Sequence, residues 1–268
     1  MAAMTQIDLT GRTALVTGST QGIGLAIAVD LARAGASVVV NGRGSDGVQR
    51  AIGAVRDAVH GAQVDGVAAD LSTADGAAAV LDAHPHVDVL VNNLGIFGSR
   101  DPFAITDDEW RHYFEVNVLS AIRLIRSYLP AMTEHGYGRV VSIASDSAVV
   151  TPAEMIHYGM TKTALLAVTR GFAKAVKGTG VTVNTVIAGP THTAGVEDFV
   201  AELVGTDLPW DQAQRTFMRE HRPQSLVERL LEPEEVAHMV TYLASPLASA
   251  TTGGALRADG GYVDAILP

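Results

Sequence analysis

The feature that most constrains this chain is a repeated switch in hydrophobic period. Short, near-continuous apolar runs rich in β-branched residues alternate with longer Ala-rich stretches of helical pattern. The runs predict strands at 13–17, 37–41, 64–69, 87–92, 138–144 and 181–187. Their apolar continuity fits strands covered on both faces. Between them the pattern predicts helices over 22–34, 46–60, 73–83, 107–133 and 153–177. This β-α-β-α order makes an α/β fold, a parallel doubly wound sheet whose right-handed crossovers place helices on both faces. Thr106 before Asp107, Asp108 and Glu109 marks a capped helix start, and Gly35 after Ala34 marks a helix end that takes positive φ.

No Pro/Gly/Ser-rich linker interrupts the first 190 residues and no internal repeat is visible, so one domain over 1–268 is expected. After Pro190 the pattern changes. Amphipathic pieces at 195–204 and 210–221 flank Leu208-Pro209-Trp210, predicting a helical substrate-loop insertion at 191–226, laid over the sheet's edge. The regular order resumes at Pro233, suited to a first helical turn, and the helix runs to about Ala244. A last strand is expected at 254–258.

Composition narrows the function classes. Hydrophobic residues make up 47% of the 268 and charged residues 18%, enough for a large core. Nineteen Lys and Arg against 29 Asp and Glu give a net charge of −10. With no basic cluster, this argues against a nucleic-acid partner. The chain has no Cys, which excludes disulfides, thiolate zinc sites and Cys nucleophiles. The N-terminus lacks the basic and apolar segments of a signal peptide, and the longest apolar stretches, such as Val38-Val39-Val40, are strand-sized. A cytoplasmic protein with no membrane segment is expected, and Met4 is an equally good start. The nine His show no His-Glu-x2-His and there is no Gly-x-Ser-x-Gly, so neither a metal site nor a serine hydrolase is expected.

Thr17-Gly18-Ser19-Thr20-Gln21-Gly22-Ile23-Gly24 follows the first strand and opens the first helix. Glycine there allows a tight turn, close backbone approach to a diphosphate and close helix-strand packing, while the helix N-terminus attracts the anion. The second strand ends in Asn41-Gly42-Arg43. An acid at that end would bind ribose hydroxyls and repel a 2′-phosphate, whereas Arg43 can pair with one, so NADP(H) is favoured and NAD(H) stays open. Asp70, beside Leu71, is placed to accept from an adenine amino group, or else simply to start a turn. Asn92-Asn93-Leu94-Gly95 closes the fourth strand, where Asn93 and Gly95 can border the cofactor.

Tyr158 and Lys162 lie one helical turn apart on one face. A free phenol is too weakly acidic to exchange protons at neutral pH, and a nearby ammonium would lower its pKa. Ser145 ends the fifth strand at the carboxyl edge where such sheets bind ligands, and can hold a substrate oxygen beside Tyr158. Asn117 sits among Val116 and Val118 in a helix interior, where Asn is unfavourable unless it has a buried hydrogen-bonding task or marks a kink.

Together these motifs resemble the short-chain dehydrogenase/reductase (SDR) family over nearly the whole chain. The family's Thr-Gly-x3-Gly-x-Gly falls on Thr17 to Gly24 and its tetrad on Asn117, Ser145, Tyr158 and Lys162. Leu94 replaces the Ala of its Asn-Asn-Ala-Gly, and the Pro of its Pro-Gly motif is displaced to Pro190. The resemblance implies a seven-stranded sheet of order 3-2-1-4-5-6-7 and a homotetramer or homodimer. The 3-oxoacyl-(acyl-carrier-protein) reductase-like members are closest in feel. It further implies reversible hydride transfer between nicotinamide and a carbonyl or secondary alcohol, with Tyr158 as acid/base. Lys162 would also bind the nicotinamide ribose, Asn117 would hold a relay water, and Thr191 and Thr193 would contact the carboxamide and diphosphate. Two rivals stay open: an inactive nucleotide-binding regulator, and a lyase or epimerase on the same fold.

Overall fold

The computed structural model describes residues 7–266; a start at Met4 lies outside them. Seven strands form one parallel sheet: β1 (Thr13–Val16), β2 (Ser37–Gly42), β3 (Val64–Ala68), β4 (Val89–Asn92), β5 (Gly138–Ser145), β6 (Val181–Ala188) and β7 (Ala255–Ala258). Their order is β3-β2-β1-β4-β5-β6-β7, as expected. The order reverses between β1 and β4, which opens a crevice at the carboxyl ends of the strands.

Successive side chains of a strand point to opposite faces, and both faces here are apolar. Val38, Val40 and Val141 face one layer, with Ile27 and Leu31 of α1 (Gly22–Arg33), Val55 of α2 (Ser45–Ala58) and Val240 of the later helix α9 (Pro233–Ala244). Val39 and Val140 face the other, with Val80 of α3 (Ala74–Ala83) and Leu124, Ile125 and Tyr128 of α5 (Ser120–Glu134). This two-sided burial is why the strands read as unbroken apolar runs.

Local chemistry fixes the boundaries. Gly35 ends α1 at φ +95°, and a Cβ there would meet Thr10 Oγ1 at 2.7 Å. Thr106 and Glu109 form a reciprocal cap at the start of α4 (Asp107–Phe114). The helix expected over 107–133 is not continuous. Between α4 and α5 the chain widens into a π-turn at Glu115–Leu119, with Asn117 at its centre. Likewise the start of the stretch expected at 153–177 is a tight turn, Ala153–Met155, followed by α6 (Ile156–Ala175). The insertion forms α7 (Ala194–Val204) and α8 (Trp210–His221). These close over the crevice through a separate apolar cluster that includes Met155, Phe199, Phe217 and Leu230. Among the described residues no helix is long and apolar enough to cross a membrane.

Candidate active site

A cavity of about 320 Å³ opens at the carboxyl end of the sheet. Its floor is the glycine turn (Gly18, Gln21, Gly22, Ile23, Gly24), one wall carries Ser145, Tyr158 and Lys162, and the roof comes from Thr193, Phe199 and Phe217. Gly18 and Gly22 have φ of +60° and +56°. A Cβ on Gly24 would lie 2.5 Å from both Gly18 O and Asn93 Nδ2, so only a bare backbone fits. No side chain caps α1 at Gln21, which leaves N–H groups of its first turn as donors at the cavity floor. That uncapped helix end, behind a cradle a Cβ would fill, suits a dinucleotide diphosphate.

Several residues expected to touch the cofactor instead build the turn. Ser19 is fully buried; its Oγ donates to Val16 O at 2.7 Å and accepts from Asn41 N at 3.0 Å. Asn41 is buried too. Its amide donates to Val67 O and Ala69 O, and its carbonyl oxygen accepts from Gly18 N. Neither lines the cavity. Thr20 packs its methyl against Gly42, and Leu71 points into the core. Asn93 borders the cavity, but its amide is held by the carbonyls of Thr17 and Gly18, 3.0 Å from each. Thr17 Oγ1 in turn accepts from the N–H groups of Asn93 and Leu94. Arg43 is exposed past the end of β2. Asp70 is exposed and its Oδ1 takes the backbone and hydroxyl of Ser72, hydrogen bonds that hold its carboxyl below the usual range. Thr191 donates to Gly189 O and Thr193 caps α7, yet both border the cavity.

The tetrad residues converge. Ser145 ends β5, and its side chain borders the same cavity as the Tyr158 phenol. Lys162 is 4% exposed, donates to Ile143 O at 2.9 Å, and burial lowers its pKa to about 8. Lys162 Nζ and Asn117 Oδ1 both close on Gly95, where a Cβ would stand 3.3 and 3.5 Å from them. The π-turn turns Asn117 toward the site. Its amide donates to Ile96 O and Thr161 Oγ1, and its oxygen accepts from Ile96 N. Both donors of that side chain are therefore engaged with protein, and it does not line the cavity.

One expectation is corrected in sign. Burial pushes the Tyr158 phenol above the ordinary tyrosine range, and the Ser145 side chain opposes this. Lys162 Nζ is 5.5 Å from the Tyr158 ring centre and holds the Ile143 carbonyl instead. Desolvation sets the direction, and the phenol, like that of an ordinary tyrosine, carries its proton at neutral pH. His157 is buried away from the cavity against Tyr113, with ring centres 4.1 Å apart. Residues that sequence reasoning passed over also line the cavity: Asp146, Phe97 and Arg222. Asp146 and Phe97 each lie within two residues of a motif already singled out; Arg222 carried no such signal.

A family model described as enoyl-(acyl carrier protein) reductase matches residues 18–263. The uncharacterized oxidoreductase YvaG of Bacillus subtilis (strain 168) is 48% identical over 262 residues, covering 97% of this chain and 99% of its own. The crystal structure of L-sorbose reductase from Gluconobacter frateurii, complexed with NADPH and L-sorbose, superposes with a TM-score of 0.90. It is 30% identical and covers 98% of this chain and 100% of its own. A putative NAD(P)-dependent gluconate 5-dehydrogenase from Beutenbergia cavernae, with bound NADP, gives a TM-score of 0.86 at 36% identity, covering 97% and 100%. A doubly wound sheet with a glycine cradle at its switch point defines a dinucleotide-binding protein. The chain belongs to the short-chain dehydrogenase/reductase family, oxidoreductases that act on alcohol and carbonyl groups with a nicotinamide dinucleotide.

Proposed function

We propose that the protein is a cytoplasmic, NADP(H)-preferring carbonyl reductase, with NAD(H) as a weaker substitute, reversibly acting on a small polar ketone or secondary alcohol. One domain spans the chain and associates as a homotetramer or homodimer. The observation that carries the reading is the meeting of Ser145, Tyr158 and Lys162 in the cavity whose floor is the glycine cradle.

The bound dinucleotide supplies or accepts a hydride. Gly18 to Gly24 would hold its diphosphate, Arg43 a 2′-phosphate, Asp70 the adenine, and Thr191, Thr193 and Lys162 the nicotinamide end. Ser145 orients the substrate oxygen. Tyr158, which carries its proton at neutral pH as phenols do, gives that oxygen a proton as negative charge develops on it. Lys162 stands behind Tyr158 as a buried ammonium, its field favouring release of the phenol proton as the substrate oxygen takes it. Asn117 acts by fixing Ile96 and Thr161, and so the shape of the wall that carries Lys162. Phe97, Phe199 and Phe217 exclude water from the reacting face.

L-Sorbose and gluconate, named for the structural relatives, open the substrate panel, each tested with NADPH, NADH or the oxidised forms by nicotinamide absorbance. Tyr158→Phe should lower turnover roughly 10²- to 10⁴-fold, the usual scale of a lost general acid, while NADPH affinity stays within about threefold, a difference below 1 kcal/mol. Retained turnover in Tyr158→Phe would remove the assigned acid.

A further inference from the structure

Next to Ser145 the chain buries a carboxyl for which the family's tetrad has no task. Asp146 is 4% exposed and lines the cavity. Its Oδ1 lies 2.8 Å from Ser145 Oγ and 3.3 Å from Ser147 Oγ. Its Oδ2 is buried with no hydrogen-bond partner. An ionised carboxylate with one oxygen unpartnered and out of water is heavily penalised, whereas a neutral acid carrying its proton on Oδ1 leaves only a carbonyl oxygen unpaired.

The charged and titratable surroundings agree. Burial pushes the Asp146 carboxyl up, against the opposing pull of Arg222 and the serine hydrogen bonds. Arg222 forms no ion pair with it within 4 Å and donates to His221 O. Tyr158 and Lys162 come from α6, Tyr262 from the C-terminal segment, and β6 presents no titratable group.

A serine hydroxyl has one hydrogen and two lone pairs. Ser145 Oγ already accepts from Ser147 N at 3.2 Å. If Asp146 is ionised, the Ser145 hydrogen goes to Oδ1 and none is left for a substrate oxygen. If Asp146 is neutral, its O–H fills the second lone pair and the Ser145 hydrogen turns to the cavity. We propose that Asp146 is a positioning residue which, as a neutral acid, donates to Ser145 Oγ and so directs the Ser145 hydroxyl onto the substrate carbonyl. Asp146 keeps its proton throughout; Tyr158 supplies the one transferred. The inference rests on the reading of Ser145 given above, but its structural half can be measured without turnover.

The test compares wild type, Asp146→Asn and Asp146→Ala by infrared spectroscopy and by NADPH-linked reduction of L-sorbose, or of whichever ketone in the panel turns over fastest. Circular dichroism confirms that each variant is folded. The infrared spectrum of the wild type should keep a carboxylic-acid C=O band at pH 7 that Asp146→Asn lacks. Asn can donate its amide N–H to Ser145 as the acid does, so its kcat should stay within about threefold of wild type, while Ala should lose roughly tenfold or more in kcat with little change in NADPH affinity. In wild type, raising the pH until that band disappears should cut kcat in parallel, and Asp146→Asn should resist the fall. No variant-sensitive acid band at pH 7, or equal losses in Asn and Ala, would overturn the proposal. If Asp146→Asn does not fold, carboxyl carbon NMR of aspartate-labelled wild type replaces it: one Asp in the acid form at pH 7 supports the proposal, and none refutes it. An acid band without turnover on any ketone would sink the reductase reading and leave the protonation of Asp146 standing.

Discussion

The floor and the roof of the cavity are made in different ways. The glycine turn is a backbone mould set from behind. Thr17, Ser19, Asn41 and Asn93 aim their polar atoms at main-chain groups of the turn and neighbouring strands, leaving bare backbone and uncapped N–H groups to face the ligand. The roof is built from side chains. α7 and α8 hold together through Phe199 and Phe217, with ring centres 6.2 Å apart, and through a stack of His192 on Trp210. Main-chain ties to the rest are few, such as the bridge between Thr191 and Leu231. A mould of buried hydrogen bonds tolerates no added atom, whereas a roof of packed rings can lose atoms and remain a roof. The first suits a ligand common to many enzymes and the second a substrate particular to one.

The harshest way to break this comparison is Gly24→Ala. Its Cβ would sit 2.5 Å from Gly18 O and from Asn93 Nδ2, and the backbone carbonyl cannot swing aside as a side chain could. We expect a cost of about 3 kcal/mol from overpacking, read as a lower melting temperature and NADPH binding weakened roughly a hundredfold. Normal NADPH binding in this variant would show that the turn is not a rigid mould.

Phe217→Ala tests the roof. Phe217 is 1% exposed and lies in the apolar cluster with Arg222 over its ring at 5.2 Å. Deleting a buried Phe costs about 3–5 kcal/mol where it is global, but this cluster is separate from the two that flank the sheet. The loss should therefore appear as local opening. KM for the substrate should rise roughly tenfold, and NADPH binding, measured by nicotinamide fluorescence, should barely change. An equal weakening of NADPH would mean that roof and floor act as one unit.

Much of this division is legible in the sequence because it rests on period and spacing. Alternating apolar runs carry the strands and the doubly wound class, the order of the strands follows from the family resemblance, and the glycine spacing with its flanking strand and helix places the floor. What escaped depends on which way a side chain turns. Ser19 and Asn41 lie beside the diphosphate turn in sequence, yet both face inward, a matter decided by unpaired main-chain groups that no motif counts. Asn117 was conspicuous as a polar residue mid-helix, but the π-turn that aims it came only from the backbone. The Tyr158 phenol shows a further limit. Spacing put an ammonium one turn away, but whether charge or desolvation governs the proton depends on burial, and burial prevails here. Arg222 lies in the insertion expected at 191–226, just past the amphipathic piece at 210–221, where no period says which way a side chain turns.

The smallest effect should come at the cradle's outer end, where selectivity between cofactors is proposed to lie. β2 closes with Asn41-Gly42-Arg43, and Arg43 is exposed, so water and salt screen any pairing it makes. Asp70 stands near enough for Arg43 to lower its pKa slightly, and that residual attraction competes with a phosphate for the same guanidinium. An exposed pair of this kind contributes about 1 kcal/mol, so Arg43→Ala should weaken NADPH roughly fivefold, leave NADH unchanged and lose most of its effect in high salt. A parallel loss for NADH would move Arg43 from selectivity into the mould itself. A loss for NADPH alone would place discrimination at both rims, Arg43 for the cofactor and the aromatic roof for the substrate, around a floor that is indifferent to either choice.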